Sequence, residues 1–480
     1  MPLAWCWTIS LLSSESQWRR KKSRKFVINV WLTTSFKQDI LRHWALTAQI
    51  ALNALVGYAF IKFLASNWGA SAHKDAFDIA YSVPFLLMSV SGVTFLEAVI
   101  TTRFSTIREG HREQANAMFS SLLSYLLVFA ACVLGLTSLF AAQLTELLAP
   151  GLQASAKREV QDLIVLFMPL VVVLGVGSLL SAILTAWQAP VGTELCQLIS
   201  RSGFLCGWVL FDYTPSLNGT AISLSVFGAC GLLLIWIMFR RITKFHYKPR
   251  LGDATGEIRS ILNQGVGLLL TAILAQAALA YLRRLGSLDG VGTIAMLSYA
   301  LALIYPLSIL LAKPIASVIG PRYIRYMRSG DLLSARYILL SSCAGLLFLT
   351  GSVSGMIYGH SQEVIEVILG GGEFDASVAS VTGSLLKLAI WGLPAEAVSR
   401  VLLVPLLNDG RRHAVSVIYS TRYILQMGLS YTLFSWMGRN GLIWSYVVAV
   451  VLQVFLEAGY LFYVMGQKYP RTLAKTTSGA

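Results

Sequence analysis

The sequence has few charged residues and few cysteines, and each shortage excludes a class of protein. Charged residues make up 13% of the 480 positions, against about 25% in a soluble domain. The six cysteines are scattered, mostly within apolar segments, and no two form a CxxC pair. We therefore expect neither disulfides nor metal sites, and we interpret the cysteines as small buried apolar side chains. The sequence also has no nucleotide-binding loop, zinc motif or nucleophile–base arrangement.

Long apolar runs fill most of the chain, and 56% of the residues are hydrophobic. A helix needs roughly 20 such residues to cross a hydrocarbon core of about 30 Å. The sequence therefore predicts an all-α integral membrane protein. We predict about twelve spans, at 44–65, 77–101, 117–141, 160–187, 191–212, 219–239, 258–281, 291–320, 335–358, 377–404, 414–436 and 440–465.

The basic residues are concentrated in alternate loops. If the N-terminus is cytoplasmic, 26 Lys and Arg residues lie on the cytoplasmic side, six lie outside and six lie within spans. The positive-inside rule then predicts that both termini are cytoplasmic. The net charge of +15 does not indicate nucleic-acid binding, because the basic residues lie between apolar runs and form no single basic module.

The longest cytoplasmic loop divides the chain, and we predict five regions. They are a basic tail at 1–43, an N-lobe of six spans at 44–240, a linker at 241–257, a C-lobe of six spans at 258–466 and a C-terminal tail at 467–480. The tail carries six basic residues between 19 and 25, which favours contact with anionic lipid. A wrongly assigned start codon is the alternative explanation for it.

Landmarks recur between the two lobes. The distance from Pro84 to Pro306 is 222 residues, and from Pro169 to Pro394 it is 225. Arg108 and Arg328, each in an R-x-G loop, are 220 residues apart. This spacing predicts a parallel pseudo-repeat of two six-helix halves, the architecture of V-shaped alternating-access transporters. The four prolines are candidate hinges, since a proline within a span removes a backbone donor and bends the helix.

Short motifs in a fixed order resemble the MurJ/MviN family of lipid II flippases, in the multidrug/oligosaccharidyl-lipid/polysaccharide exporter superfamily. The motifs are Asp75-Ala76-Phe77 with Pro84, Ala149-Pro150-Gly151, Gln264-Gly265 with Gln276, Tyr299-Ala300 with Pro306, and Arg400-Val401-Leu402 with Pro405 and Asp409. The resemblance covers about residues 50 to 465. It implies a multi-pass protein of the bacterial cytoplasmic (inner) membrane, a role in peptidoglycan biosynthesis and cell shape, and transport without enzymatic activity.

The sequence departs from the family at the cavity arginines, which the resemblance implies bind the diphosphate of the cargo. The corresponding positions are Phe60-Ile61, Met88-Ser89 and the region of Leu301 and Ala302. The twelve predicted spans also do not include the extra pair that the resemblance implies. Either the substrate differs, or other cations bind it.

Ionisable residues within spans are costly and mark functional sites or structural pairs. The substrate-cavity candidates are Lys62, Asp75, Arg201, Gln276, Lys313, Lys387, Glu396 and Arg400. Each has a structural alternative. Lys62 could extend to the interface, Asp75 could cap a helix, Arg201 could pair with Glu194, and Gln276 could bond another helix. Glu396 and Arg400 have the i,i+4 spacing of an ion pair.

The expected function is a flippase that moves a polyprenyl-diphosphate-linked saccharide of the lipid II type to the outer leaflet by alternating access. An exopolysaccharide or O-unit flippase is the alternative, and a multidrug-type cation antiporter is a weaker one. A membrane glycosyltransferase would need a larger outer loop than 358–376. We expect no cofactor, with coupling to the membrane potential or a monovalent cation, and a monomer whose partners are the lipid-linked glycan and membrane lipids.

Overall fold

The computed structural model is almost entirely helical in the part of the chain that it describes, namely residues 34–91, 93–107, 112–187, 189, 198–199, 202–203, 216–252, 256–408 and 411–477. The chain forms two compact units, Met1–Leu52 and Asn53–Ala480. Of the first unit, the described part is the beginning of the first helix. Most of the predicted basic tail therefore lies outside the described residues, as does most of the predicted fifth span at 191–212, including Arg201 and Glu194.

Eight described helices precede the long linker. They are α1 (Thr34–Trp68), α2 (Ala72–Ser91), α3 (Val93–Ile107), α4 (Arg112–Leu139), α5 (Ala141–Leu148), α6 (Ala154–Phe167), α7 (Pro169–Ala186) and α8 (Leu217–Thr243).

Nine described helices follow the linker. They are α9 (Glu257–Asp289), α10 (Thr293–Ala302), α11 (Ile304–Ser329), α12 (Leu332–Gly359), α13 (Ser361–Leu369), α14 (Ala376–Ala389), α15 (Gly392–Asn408), α16 (Arg412–Met437) and α17 (Arg439–Thr477). A series of lengths recurs across the linker. Helices α4 to α7 have 28, 8, 14 and 18 residues, and α12 to α15 have 28, 9, 14 and 17.

Seven of the described helical segments are long and apolar enough to cross a membrane. They are Arg112–Leu139, Pro169–Ala186, Leu217–Thr243, Gly265–Asp289, Thr293–Ala316, Leu332–Gly359 and Arg439–Met465. The pair α14 and α15 makes an eighth if its bend of 44° lies within one span. The predicted spans 44–65, 77–101 and 414–436 correspond to α1, to α2 with α3, and to α16, and these helices are not among the seven.

The long helices present apolar side chains outward. Leu139, Phe348 and Phe455 are 77%, 79% and 70% exposed, which suits contact with lipid tails. Cys132 and Cys230 are also exposed, so the prediction that the cysteines are buried is wrong for these two. They lie on the outward faces of α4 and α8, where the same apolar character serves contact with lipid.

The predicted hinge prolines lie near helix breaks in three cases of four. Pro169 begins α7, directly after a break at Met168. Pro306 and Pro394 lie in the first turns of α11 and α15, where a missing backbone N–H costs no helical hydrogen bond. Pro84 differs, because α2 continues through it to Ser91. A buried proline within a packed bundle can bend a helix without ending it, so the predicted hinge at Pro84 stays a prediction.

Two aspartates cap helices that begin outside the apolar segments. Asp331 accepts a hydrogen bond from the Ser334 N–H at 3.0 Å at the start of α12, and Asp375 accepts one from the Val378 N–H at 2.8 Å at the start of α14. Hydrogen bonds from the hydroxyl and the N–H of Ser334 lower the pKa of Asp331. The Val378 N–H, followed by Ser377, lowers the pKa of Asp375. Both are local caps of the ordinary kind.

Candidate functional site

Asp75 joins helices that are far apart in sequence. It lies in the first turn of α2 and is fully buried. Its two carboxylate oxygens accept hydrogen bonds from the backbone N–H groups of Gly292 at 2.6 Å and Ala295 at 2.8 Å, at the start of α10. The first N–H groups of a helix have no partner within it and carry a partial positive charge, so a carboxylate stabilises them. Asp75 therefore caps α10.

Lys74 and Asp78 extend this contact. The Lys74 ammonium is 2.5 Å from the Asp78 carboxylate, and the Lys74 side chain is 2% exposed. The same ammonium lies 4.7 Å from the centre of the Tyr299 ring in α10, and the Tyr299 hydroxyl donates a hydrogen bond to the Gly69 carbonyl at 2.9 Å. We call this set of residues the α2–α10 junction. Its members are Gly69, Lys74, Asp75, Asp78, Gly292, Ala295 and Tyr299.

Backbone segments pack directly against one another around the junction. Gly292 has a φ of +82°, and a Cβ atom there would overlap the Ala70 carbonyl. Gly151 packs equally closely on the Ser287 carbonyl, and its N–H donates a hydrogen bond to the Ser287 hydroxyl at 3.2 Å. A side chain at either position would force the backbones apart. The segments that precede and follow the linker therefore meet here without intervening space.

A second contact joins α3 to α9. The Arg103 guanidinium donates a hydrogen bond to the Ser260 hydroxyl at 2.6 Å. Arg103 is near the end of α3 and Ser260 near the start of α9, whereas Asp75 and Gly292 lie close to the start of α2 and the end of α9. The two contacts are therefore at opposite ends of the α2–α3 and α9 segments.

The largest buried polar cluster of the described residues lies among α15, α16 and α17. The Arg422 guanidinium donates to Glu396 at 2.7 Å and to Gln453 at 2.7 Å. The Gln453 amide in turn donates to Glu457 at 2.8 Å and to the Ser399 hydroxyl at 2.7 Å. We call these five residues the Arg422 network. These hydrogen bonds join three helices to one another, and the contact of Arg422 with Glu396 pairs a buried cation with a carboxylate.

The structure changes the interpretation of Glu396 and Arg400. The predicted i,i+4 ion pair is not formed, because α16 presents Arg422 to the Glu396 carboxylate. Arg400 instead donates a hydrogen bond from its Nε atom to the Ser308 hydroxyl at 3.1 Å. Its guanidinium lies 4.7 Å from the centre of the Tyr305 ring, and Tyr305 is 59% exposed. Arg400 is half-buried and has no carboxylate within 4.0 Å among the described residues, so it can accept an anion.

The other predicted candidates are dispersed. Lys62 in α1, Lys313 in α11 and Lys387 in α14 are exposed, and Gln276 in α9 is half-buried. The Lys387 ammonium lies 4.6 Å from the centre of the Tyr358 ring. No ion pair or hydrogen bond between described residues joins any of these four side chains to another candidate. Their predicted role in the cavity is not tested by these contacts and stays a prediction.

Comparison with known proteins adds a family match. A family model described as "Lipid II flippase MurJ" matches residues 64–477. A curated relative from Buchnera aphidicola, described as a probable lipid II flippase MurJ, is 24% identical over 354 residues, which are 71% of this chain and 68% of the relative. A relative from Aquifex aeolicus with the same description is 23% identical over 368 residues, which are 74% of this chain and 69% of that relative.

Solved structures share the fold. A lipid II flippase MurJ in an inward closed conformation gives a TM-score of 0.73 at 17% identity, covering 88% of this chain and 87% of that one. An inward-facing multidrug resistance transporter of the MATE family, in the MOP superfamily, gives 0.66 at 12% identity, covering 90% and 96%. At these identities the likeness is one of fold.

Proposed function

The chain belongs to the MurJ family, and on that premise we propose that it moves a polyprenyl-diphosphate-linked saccharide of the lipid II type from the inner to the outer leaflet of a bacterial cytoplasmic membrane. The membership predicted from the motifs is confirmed by the family match. This match is the observation that carries the proposal. It extends over residues 64–477 and so includes α2 to α17.

We propose two six-helix halves on either side of the linker, with both termini cytoplasmic. The recurring helix lengths support the halves, since α4 to α7 and α12 to α15 follow the same order. The distribution of basic residues supports the orientation, with 26 on one side against six on the other. In this orientation the α2–α10 junction is at the outer face, and the contact of Arg103 with Ser260 is at the cytoplasmic face.

Alternating access then requires that the two contacts open in turn. The junction closes the outer end while the cargo headgroup enters from the cytoplasm, for which Arg103 must leave Ser260. The junction separates later, when the cytoplasmic end has closed. Breaks next to Pro169, Pro306 and Pro394 support bending at these positions. Outward movement of an anionic headgroup would couple to the membrane potential, at about 2.3 kcal/mol per charge per 100 mV.

Growth rescue tests the proposed function. The resident lipid II flippase of a bacterial host is depleted while this chain is expressed, and we expect growth to continue. An empty vector and an unrelated MATE-type transporter expressed to the same level serve as controls. Lysis at a normal membrane level of this chain would contradict lipid II as the cargo.

Arg400→Ala is expected to reduce this rescue strongly, because a charge-assisted hydrogen bond to phosphate contributes about 1.5–3 kcal/mol. Arg400→Lys keeps the positive charge and should keep most of the activity. Arg325→Ala removes an exposed arginine from α11 and is the matched control. The measurement is the growth rate at equal membrane expression. Growth of Arg400→Ala equal to that of Arg325→Ala would exclude Arg400 from cargo binding.

An exopolysaccharide or O-unit carrier is the second candidate, and one observation favours it. Phe60 and Met88, which occupy positions of the family's cavity arginines, are 7% and 2% exposed and belong to the apolar core. They therefore do not hold a lipid II diphosphate in the way that the resemblance implies, which favours a cargo recognised by other groups. Failure of growth rescue, together with loss of one surface polymer in a strain that lacks the native gene, would identify such a cargo.

A further inference from the structure

The linker after α8 runs extended along α4 and is bonded to it at regular intervals. Helix α8 ends at Thr243. The next residue, Lys244, has a left-handed backbone with φ +55°, and its N–H donates a hydrogen bond to the Arg240 carbonyl at 3.0 Å. Every second linker N–H then donates to a side chain of α4. The contacts are His246 to Asn116 at 2.9 Å, Lys248 to Ser120 at 3.3 Å and Arg250 to Ser124 at 3.1 Å. We call residues 244–252 the linker strap.

The two spacings match, which fixes the register of the strap. Two extended residues cover about 6.6–6.8 Å, and four helical residues cover about 6 Å. Pro249 lies at a position whose missing N–H would not face α4, so it interrupts none of these bonds. At the end of the strap, the Ser121 hydroxyl donates to the Gly252 carbonyl at 2.9 Å.

The strap therefore has two different faces. Phe245 is 2% exposed and packs in the core, and the Tyr247 hydroxyl bonds the Ser124 hydroxyl at 3.0 Å. The alternate side chains point outward and are exposed, and all of them are basic: Lys244, His246, Lys248 and Arg250. Because the strap backbone is hydrogen-bonded to α4, the backbone positions of these basic residues are fixed relative to that helix.

A cavity of about 640 Å³ lies elsewhere near His73, but the cavity at the strap has a clearer chemical character. It has a volume of about 560 Å³ and is lined by the strap together with Arg112 and Asn116 of α4. Arg112 is held by a hydrogen bond from its guanidinium to the Thr243 carbonyl at 2.7 Å. Glu113 is the one acidic residue of the lining. No described carboxylate lies within 4.0 Å of the Arg112, Lys244, Lys248 or Arg250 side chains, so these four permanent positive charges remain available to an anion.

An adjoining depression of about 320 Å³ shares Arg112 and Lys244 with this cavity. Its lining adds Trp187 and Ile242, and Ile242 is 38% exposed. A cationic hollow beside an apolar one with a tryptophan matches a lipid at the membrane interface, where the headgroup is charged and the next atoms are apolar. A free anion would use the first hollow alone.

We propose that the linker strap and the start of α4 bind the phosphate-bearing headgroup of a lipid in the cytoplasmic leaflet. The leaflet follows from the orientation proposed above. The anion lies among Arg112, Lys244, Lys248 and Arg250, and the first apolar atoms of the lipid lie against Ile242 and Trp187. Two lipids have this chemistry, an anionic phospholipid of the bilayer and a polyprenyl diphosphate. Because the site includes residues of both the strap and α4, a bound headgroup holds the linker against α4.

Lipid retention by the purified full chain tests this site. We compare the double variant Lys248→Gln/Arg250→Gln with Arg325→Gln/Arg328→Gln, which removes two exposed arginines from the proposed cytoplasmic end of α11. The probes are phosphatidylglycerol, undecaprenyl diphosphate, phosphatidylcholine and inorganic pyrophosphate, each titrated in detergent with detection by native mass spectrometry. At about 1 kcal/mol per basic residue, the strap variant should bind the anionic lipid about 30-fold more weakly.

The source of the headgroup is read from the probes. Preferential loss of phosphatidylglycerol binding would support the site and identify a bilayer phospholipid. Preferential loss of undecaprenyl diphosphate would support it and identify the carrier. The variant Lys248→Arg/Arg250→Lys preserves both charges and should bind as the parent does. Equal losses in the two Gln variants, no loss in either, or pyrophosphate bound as tightly as the lipids would overturn the proposal, whether or not the chain rescues growth.

Discussion

Asp75→Ala is expected to abolish growth rescue and to open the α2–α10 junction while the protein remains in the membrane. The substitution leaves the buried N–H groups of Gly292 and Ala295 without their carboxylate. Two hydrogen bonds to a charged group contribute about 3 kcal/mol or more together. The equilibrium between the closed and the open junction should therefore shift roughly 100-fold or more towards the open form.

Thiol labelling measures the opening directly. Thr293 is 2% exposed at the start of α10. In a variant without the native cysteines, Thr293→Cys should react faster with a membrane-impermeant maleimide when Asp75→Ala is added. Asp331→Ala is the matched control, since Asp331 caps its own helix and bonds Ser334 three residues away. Equal labelling with and without Asp75→Ala would contradict the role of the junction as the outer closure.

Arg422→Leu is expected to cause the largest loss of stability of any substitution considered. Arg422 is 6% exposed, and its removal leaves the Glu396 carboxylate buried without a cation. Breaking a buried ion pair by removing one partner costs about 3–5 kcal/mol. The measurement is the melting temperature of the purified protein in detergent, and Arg325→Leu, at an exposed position of α11, is the control.

The double variant Arg422→Leu/Glu396→Leu separates the ion pair from general packing. Removing both charges also removes the unpaired carboxylate, so the double variant should be more stable than Arg422→Leu alone. The single variant Glu396→Leu completes the comparison. If the double variant lowers the melting temperature by the sum of the two single falls, the two side chains do not stabilise each other.

Much of the helical arrangement was predictable from the sequence, because it depends on local patterns. Apolar runs located most of the described helices, and Pro169, Pro306 and Pro394 are near real breaks. The family motifs lie in order along the chain, and the family match confirms them. Helix α2 continues through Pro84, because a proline in the sequence does not show how the helices around it pack.

The partners of the polar residues were harder to predict, because they come from distant helices. Asp75 at the start of α2 suggested a cap for its own helix, whereas it caps α10, 217 residues further along the chain. The sequence predicted that Glu396 pairs with Arg400, one turn away, whereas its partner is Arg422 on α16. Helical spacing describes neighbours on one helix and contains no information on which other helix packs against that face.

The linker strap had a sequence signal that the initial interpretation missed. Asn116, Ser120 and Ser124 form a polar row at every fourth residue in the first half of α4. The linker alternates basic residues with Phe245 and Tyr247, which is typical of an extended segment with one buried face. Two matching periods could have predicted the contact. The depression beside the strap could not be predicted, since Trp187 comes from the end of α7, a distant part of the sequence.

A leaflet assay tests the central claim, that this chain moves a lipid-linked saccharide outward. In spheroplasts depleted of the resident flippase and expressing this chain, labelled lipid II is exposed to an added enzyme that cleaves only outer-leaflet lipid II. We predict that cleavage returns to the level of undepleted cells and falls with Asp75→Ala at equal membrane expression. Cleavage no higher than in the empty-vector control would contradict lipid II transport by this chain.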